Sequence, residues 1–277
     1  MIVHLIDGTY ELFRQFYGLR RFHKTDPPFG AVAGVLSMIV KMLEDGATHI
    51  GVATDHIIES FRNELWPGYK TGAGIERALF AQFHPLEEAL DAMGVVVWPM
   101  VEFEADDALA AAAYLVAKDK QVEKVCIWTP DKDLAQCVVD DRVVQIDQRR
   151  NIIRNEAGVI EKFGVAPKFI PDYLALVGDA ADGYPGIKGL GAKTAASLIN
   201  RLGAIEDFPA EVLSDANREL ALLFKTLATL RVDAPLGKGR SARGLGWQGA
   251  TPSFESIAEK MSVARLLKRV RALEARL

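Results

Sequence analysis

Hydrophobic and polar positions follow two alternating patterns along the first half of the chain. Short apolar runs rich in β-branched residues occupy residues 2–6, 49–53, 95–98, 124–128 and 143–146, and longer amphipathic segments separate them. Short buried strands that alternate with helices are typical of a mainly parallel sheet with helices on its faces. The pattern therefore predicts an α/β fold.

The pattern changes a little beyond the middle of the chain. From there on the sequence reads helical, with Gly and Pro concentrated in residues 177–191. A Gly-rich stretch over 236–249 predicts a surface loop or short hairpin, followed by a closing helix from about Phe254. We therefore expect two regions, an α/β core over 1–155 and a helical region over 156–277.

Composition fits a globular protein of ordinary size. The chain has 277 residues, is 49% hydrophobic and contains two cysteines without C-x-x-C spacing. No apolar stretch reaches the roughly 20 residues that span a bilayer, and the apolar residues 2–6 lack the basic flank of a signal peptide. We expect a cytoplasmic protein. The net charge of −4 argues at first against a nucleic-acid partner.

Acidic residues follow four of the predicted strands, at the edge where an open α/β sheet binds ligands. Gathered in a partly buried site, such carboxylates would repel one another by several kcal/mol, so bound divalent cations are the natural resolution. Oxygen ligands without histidine favour Mg²⁺ or Mn²⁺ over zinc, and this many ligands predict two ions. A single Asp in such a position is as often a helix cap as a ligand, so the joint pattern carries the prediction. The residues are Asp7, Asp55, Glu104, Asp106, Asp107, Asp131 and Asp133.

Seven motifs occur in a fixed order along the chain. They are L-I-D-G-T at 5–9, V-A-T-D at 52–55, F-R-N-E-L at 61–65, E-A-D-D at 104–107, T-P-D-K-D at 129–133, G-D-A-A-D at 178–182 and P-G-I-K-G-L-G-A-K-T-A at 185–195. This order resembles the 5′-3′ exonuclease and flap endonuclease family, in particular a bacterial 5′ nuclease that stands alone but is similar to the 5′-nuclease domain of DNA polymerase I. The resemblance covers about residues 1–231.

The resemblance implies a PIN-like (Rossmann-like) fold and a two-metal hydrolysis of phosphodiesters. It implies a partial arch at about 67–93 and a helix-three-turn-helix at about 171–202. It further implies two, or three, Mg²⁺ or Mn²⁺ ions, with Asp106 between the first two. One ion would lie near Asp7, Asp55 and Asp106 and a second near Asp131, Asp133 and Asp182, with Glu104, Asp107 and Asp179 as additional or water-mediated ligands.

Basic and aromatic residues receive roles by the same resemblance. Arg14, Arg62 and Lys70 would orient the scissile phosphate, and Tyr69 would stack on a displaced base unless it is ordinary packing. The implied partner is DNA with a 5′ end, flap, nick or gap, or an RNA primer strand, bound by a monomer.

The glycine-rich motif would grip duplex DNA. A helix start with free N–H groups and a lysine is an anion site, although a glycine hairpin alone often only joins helices. The implied DNA-contacting residues are Lys188, Gly189, Gly191, Lys193 and Thr194, and carbonyls of Ile187 and Leu190 would hold a K⁺ ion.

The sequence departs from the family pattern at two places. Residues 71–75 read T-G-A-G-I where the family continues with Arg and prolines, which predicts a flexible arch. Gly183 stands where Asn is common.

Two other functions compete with the nuclease. A DNA-structure-binding protein with weak or no nuclease activity is disfavoured because every acidic motif position is retained. A phosphatase gives no reason for the motif at 185–195. With the nine proposed metal-site carboxylates set aside, basic residues outnumber the remaining acidic ones, so the charge no longer argues against DNA.

Overall fold

A six-stranded sheet forms the centre of the protein. The computed structural model describes residues 1–20 and 27–277. The sheet order is β3-β2-β1-β4-β5-β6, with β1 to β5 parallel and β6 antiparallel at one edge. All five strands expected from the apolar runs are confirmed, whereas β6 is not among the predicted strands. The strands are β1 (Ile2–Asp7), β2 (His49–Asp55), β3 (Val96–Met100), β4 (Lys124–Trp128), β5 (Val143–Asp147) and β6 (Ile152–Arg154).

Helices connect the strands from β1 to β4, and further helices follow β6. Polar residues mark several helix starts, because a side-chain oxygen satisfies a free backbone N–H there. Asp7 accepts from the Tyr10 amide at 2.8 Å, and Asn155 accepts from the Gly158 amide at 3.0 Å. The helices are α1 (Gly8–Leu19), α2 (Gly30–Glu44), α3 (Arg62–Leu65), α4 (Arg77–Phe80), α5 (Phe83–Ala92), α6 (Ala105–Val116), α7 (Glu156–Phe163), α8 (Ile170–Val177), α9 (Ala192–Leu202), α10 (Asp215–Ala228), α11 (Phe254–Lys260) and α12 (Ala264–Glu274).

The two faces of the sheet bury separate hydrophobic clusters. Ile6, Ile50 and Val52 face α1, α2 and α5 on one side. Val3 and Leu5 face α6 on the other side. The alternation of neighbouring β1 side chains between two covered faces explains why this strand reads as a continuous apolar run.

The end of the chain returns to the α/β core. Residues 230–245 add Leu236 and Leu245 to the α6 side, and α11 and α12 add Phe254 and Val270 to the α2 side. The expected surface loop at 236–249 is therefore wrong in part, because Leu236, Leu245 and Trp247 are buried. The closing helix from about Phe254 is confirmed as α11. The division at residue 155 stays a prediction.

A third cluster holds the helical region together. It joins α7, α8, α9 and α10, with Tyr184, Ile199 and Phe224 fully buried. Helices α8 and α9 flank the loop 178–191, so the structure contains the expected pair of helices around the glycine-rich motif.

The second half of the expected arch is part of the core. Leu79, Phe83, Leu86 and Leu90 are buried against the α2 side of the sheet. The expected arch over 67–93 is therefore corrected at residues 79–93, because α5 belongs to the crossover between β2 and β3 and carries an apolar face that must be covered. Over residues 67–78 the arch stays a prediction. Within the described ranges, no helix is both long and apolar enough to cross a membrane.

Candidate metal centre and nucleic-acid interface

The candidate site lies where the order of strands reverses, beyond the carboxyl ends of β1 and β4. Open α/β sheets bind ligands at this kind of crevice, because the neighbouring loops diverge there. Asp7 ends β1, Asp55 ends β2 and Asp131 follows β4. Asp55 also accepts a hydrogen bond at 2.8 Å from the Ala105 amide, so the start of α6 faces the same crevice.

Six carboxylates line one cavity at this edge. The cavity has a volume of about 420 Å³, and its lining also includes the apolar residues Phe13, Ile58 and Ile75. Five segments that are distant in sequence are thus brought together as expected. The lining carboxylates are Asp7, Asp55, Glu104, Asp106, Asp131 and Asp182.

Asp133 and Asp179 form a second acidic group with Asp182. Carboxylate oxygens of the three residues all lie within 4.8 Å of one another, and all three side chains are buried. Because Asp182 also lines the cavity, the two groups are continuous. Asp179 is thus a member of this group together with Asp133, although the sequence gave it only an additional or water-mediated role.

The acidic groups have the electrostatics of a cation site. Burial and the nearby Asp131 carboxylate raise the pKa of Asp106 well above its usual value. Burial raises the pKa of Asp7 to about 7, and Asp55 and Asp131 add to the shift against opposing hydrogen bonds. Burial and three aspartates also raise the pKa of Asp133. A divalent cation would relieve this repulsion.

A buried carboxylate oxygen without a hydrogen-bond partner also indicates a cation site. Oδ1 of Asp133 is buried and has no hydrogen-bond partner among the described residues. A buried carboxylate oxygen without a partner is costly, and a metal ion is one of the few groups that can satisfy it. The donor set consists of carboxylate oxygens, which suits hard cations. The residues present therefore fit divalent metal.

Two lysines partly neutralise the acidic groups. Nζ of Lys70 lies 3.1 Å from Glu104 and 3.0 Å from Asp182. Burial opposes its charged form, but these two carboxylates raise the pKa of Lys70 well above its usual value. Lys132 contacts Asp179 at 2.7 Å. Lys70 thus lines the acidic cavity.

Arg62 and Asp107 are not part of this cavity. Both are fully buried, and the two Arg62 nitrogens donate to the two Asp107 oxygens at 2.7 Å. Asp107 also accepts from the amides of Glu104 and Arg231. The expectation that Arg62 orients the phosphate and that Asp107 binds metal is corrected, because their polar atoms are already used inside the core.

Tyr69 is also buried. Its hydroxyl lies 3.3 Å from Glu104, and its ring belongs to the cluster of the helical region. It is only 3% exposed, which leaves no free face for a base, so the stacking role is corrected to packing.

Arg14 lies beside the cavity instead of inside it. It is paired with Glu11 at 2.5 Å and contacts Gln148 at 3.3 Å. Together with Tyr10 and Phe13, which also line the acidic cavity, Arg14 lines a neighbouring cleft of about 410 Å³.

The glycine-rich motif lies on the surface, as a DNA-contacting segment requires. The predicted contact residues Lys188, Gly189, Gly191, Lys193 and Thr194 are all exposed, and Lys193 and Thr194 lie in the first turn of α9. The helix start has no side-chain cap, so its first N–H groups remain available to an anion.

The proposed K⁺ carbonyls belong to the same loop. Ile187 is buried and its carbonyl accepts a hydrogen bond from the Leu190 amide at 3.0 Å. That oxygen keeps a second lone pair, so the K⁺ assignment stays a prediction.

Sequence analysis missed residues that hold the carboxylates in place. Oγ1 of Thr129 donates to Asp7 at 3.0 Å, and Oγ1 of Thr9 accepts from the Asp55 amide at 2.8 Å. Both threonines lie within the acidic motifs at strand ends, which is the signal that could have found them. The pairing of Lys132 with Asp179 had no such signal, because the two are distant in sequence.

Comparisons with known proteins agree with this arrangement. The family model described as 5′-3′ exonuclease, N-terminal resolvase-like domain matches residues 2–164, and the one described as 5′-3′ exonuclease, C-terminal SAM fold matches residues 165–248. The 5′-3′ exonuclease of Buchnera aphidicola subsp. Acyrthosiphon pisum is 32% identical over 84% of this chain and 88% of its own. That of Aquifex aeolicus is 33% identical over 74% of this chain and 71% of its own.

Solved structures share the fold. T5 D15 protein, co-crystallised with metal ions, has a TM-score of 0.67 at 20% identity and covers 97% of this chain and 99% of its own. The catalytic core of Rad2 in complex with DNA substrate has a TM-score of 0.62 at 13% identity and covers 98% of this chain and 91% of its own. With both family models matched along most of its length, the chain belongs to the 5′-3′ exonuclease family.

Proposed function

We propose that this nuclease hydrolyses phosphodiesters in DNA that carries a 5′ end, flap, nick or gap, or an RNA primer strand, and that it requires two Mg²⁺ or Mn²⁺ ions. The observation that carries the proposal is the continuous acidic site, with eight carboxylates from five segments and a buried unpartnered oxygen on Asp133. Structural relatives co-crystallised with metal ions and with DNA substrate support the same assignment.

Two groups of residues would hold the ions. Asp7, Asp55 and Asp106 would hold one of them, and Asp133, Asp179 and Asp182 would hold the other, with Asp131 and Glu104 between the groups. When bound, such a pair of ions activates water and stabilises the charge on the leaving oxygen.

The remaining residues of the site would bind and orient the strand. Lys70, at 3.0 Å from Asp182, is placed to move onto a phosphate oxygen once a cation occupies the carboxylates. Phe13, Ile58 and Ile75 border the cavity with apolar surface and so restrict water around the reacting phosphate. Arg14 would contact the strand beside the cavity.

The metal proposal is tested by turnover of labelled flap DNA during titration with Mg²⁺ and Mn²⁺. Asp131→Asn should abolish hydrolysis while affinity for flap DNA stays within about tenfold, because a ligand is lost and the basic surface is kept. Asp45→Asn is the matched control, because Asp45 is exposed in an i,i+4 pair with Lys41 on α2 and far from the site. Activity of Asp131→Asn within a few-fold of wild type would contradict the proposal.

Duplex binding by the glycine-rich motif is tested at Lys193. Lys193→Ala should lower the dependence of log K on log salt by about one, the amount for one lost phosphate contact. The control is Lys120→Ala. This exposed lysine lies between α6 and β4, at the amino ends of the strands and so away from the acidic site. A slope that is equal in both variants and in wild type would remove Lys193 from the interface.

A further inference from the structure

A basic surface lies on the hairpin formed by β5 and β6 and on the first helix after it. We define it by Arg149, Arg150, Arg154 and Lys162. Arg149 and Arg150 are exposed in the turn between the strands, Lys162 is exposed on α7, and Arg154 ends β6. None of these residues belongs to the motifs that carry the family resemblance.

Part of this surface is a cleft lined by positive charge. Arg150, Arg154 and Lys162 line a cleft of about 450 Å³, together with the exposed Glu161 and the exposed side chain of Ile153. Burial and the neighbouring arginines lower the pKa of Lys162, and burial and Arg150 lower that of Arg154 although Asp147 opposes the shift. The like charges repel one another, and an anion in the cleft would relieve that repulsion.

Arg154 supplies the second observation. It is 5% exposed, and its guanidinium has one partner within the described ranges, the neutral Oε1 of Gln145 at 2.6 Å. A buried arginine is ordinarily paired with a carboxylate, because desolvation of an unpaired charge is costly. Its remaining N–H groups therefore suit a phosphate at the bottom of the cleft.

The basic surface continues toward the acidic cavity through an aromatic cleft. Arg149 lines this second cleft together with Arg14 and the aromatic residues Tyr10, Phe13 and Tyr17. Tyr17 is 47% exposed. Tyr10 and Phe13 also line the acidic cavity, so the aromatic cleft and the cavity are continuous. The neighbouring residues Arg149 and Arg150 line the aromatic and the basic cleft respectively, and the three together define one path.

We propose that this path binds a single-stranded DNA segment that is continuous with the cleaved phosphodiester. The exposed ring of Tyr17 and the half-buried rings of Tyr10 and Phe13 lie in one cleft with two arginines. Aromatic rings beside positive charge fit unpaired bases and their phosphates, whereas a duplex has no free base faces to stack. The segment runs from the cavity over Tyr17 to Arg149 and Arg150, and a phosphate reaches Arg154. This inference rests on the proposed function, because the strand is held next to the bond that is hydrolysed.

The test compares two DNA substrates in EDTA, so that the DNA stays intact. One is a nicked duplex and the other is the same duplex with a 5′ flap of about eight thymidines. Arg149→Gln/Arg150→Gln should weaken binding of the flapped DNA several-fold and reduce its salt slope by about 1.4, the amount for two single-strand phosphate contacts. Binding of the nicked duplex should stay within about twofold.

The control is Lys118→Gln/Lys120→Gln, which removes two exposed positive charges at the opposite edge of the sheet. Equal losses on both substrates would overturn the proposal in favour of a duplex contact, and unchanged binding of the flapped DNA would overturn it entirely. Because both arginines are exposed, their replacement should not disturb folding. Tyr17→Ala is an independent variant that should also weaken binding of the flapped DNA and not of the nicked duplex. Hydrolysis of the flap by the wild-type protein with Mg²⁺ tests the proposed function separately.

Discussion

At the residue scale, two adjacent carboxylates of one motif have different roles in the structure. Asp106 and Asp107 are neighbours at the start of α6, where successive side chains point about 100° apart around the helix axis. Asp106 therefore lines the acidic cavity, while Asp107 points into the core and pairs with Arg62. A motif gives the spacing of such residues but not the direction in which each side chain points, so the sequence could not separate the two roles.

The Arg62–Asp107 pair should matter for stability more than for chemistry. Arg62→Met leaves Asp107 as an uncompensated buried charge, which costs roughly 3–5 kcal/mol of the free energy of unfolding. Urea unfolding measures this loss. Arg62→Met/Asp107→Leu should recover part of it, because the unpaired charge is gone while the backbone partners of the pair stay unsatisfied. Arg150→Gln serves as an exposed control. A stable Arg62→Met protein that no longer cleaves DNA would restore the catalytic role expected from the sequence.

Lys70 should act on the reaction itself. Its side chain lies in the cavity between Glu104 and Asp182, so Lys70→Met should lower the single-turnover cleavage rate by about 100-fold or more, the loss typical of a removed electrostatic contact at the transition state. Affinity for flap DNA should fall much less. Lys120→Met is the comparison, because Lys120 is exposed between α6 and β4, away from the acidic site. Equal losses in rate and affinity would make Lys70 a docking contact.

At the scale of elements, hydrogen bonds join the turn at residues 66–70 to the loop at residues 179–183, and both segments carry residues of the site. Trp66 donates through Nε1 to the Gly183 carbonyl at 3.0 Å, and the Lys70 amide donates to the Asp182 carbonyl at 3.0 Å. Gly183 has φ +84°, and a Cβ there would lie 1.9 Å from the Gly68 carbonyl oxygen. The departure from the common Asn therefore has a physical reason, since this backbone contact leaves no room for a side chain.

Gly183→Ala should lower both the stability and the cleavage rate much more than the same change at another glycine with positive φ. Gly74 has φ +89°, and a Cβ added there would meet no atom within 4 Å, so Gly74→Ala should cost only about 1–2 kcal/mol for the backbone conformation. Gly183→Ala adds the clash with Gly68 and should displace Lys70 from Asp182. Thermal unfolding and single-turnover cleavage measure both effects. Similar results for the two variants would mean that the contact between loop and turn is not required.

The elements differ in how well the sequence predicts them. The strands β1 to β5 were predictable because buried parallel strands leave short continuous apolar runs. Strand β6 was not, because its three residues include the exposed Ile152 and Ile153 and carry no comparable pattern. The expected arch is wrong at α5 for another reason: the family likeness suggested an open feature, whereas the apolar face of this helix covers the sheet.

At the scale of the whole molecule, charge is divided between neighbouring surfaces. The carboxylates are concentrated at one edge of the sheet, and the basic residues of the β5–β6 hairpin and of the α9 start lie outside that edge. The net charge of −4 is thus compatible with DNA as substrate, because a nuclease with bound cations presents a much less negative site than its sequence indicates. This distribution depends on the fold, and composition alone could not give it.

The C-terminal helices are part of the same folding unit as the α/β core. Phe254 and Val270 are fully buried beside α2 and α5, Leu266 is nearly so, and Arg269 pairs with Glu44 of α2 at 2.8 Å. Each fully buried large apolar side chain is worth roughly 1.5–3 kcal/mol, and the total stability of a domain is about 5–15 kcal/mol. Removal of residues 252–277 should therefore unfold the α/β core, not merely weaken DNA binding.

Circular dichroism and urea unfolding of the truncated chain would measure this loss. Arg265→Gln/Lys268→Gln is the matched control, because both residues are exposed on α12 and the buried face of the helix is unchanged. We expect the control to keep the stability of the wild-type protein and its affinity for nicked DNA, as a solvated helix face would. A truncated chain that stays folded would show that the apolar surface of α2 can be covered without these helices, and a control that loses DNA affinity would assign the face of α12 to the nucleic-acid interface.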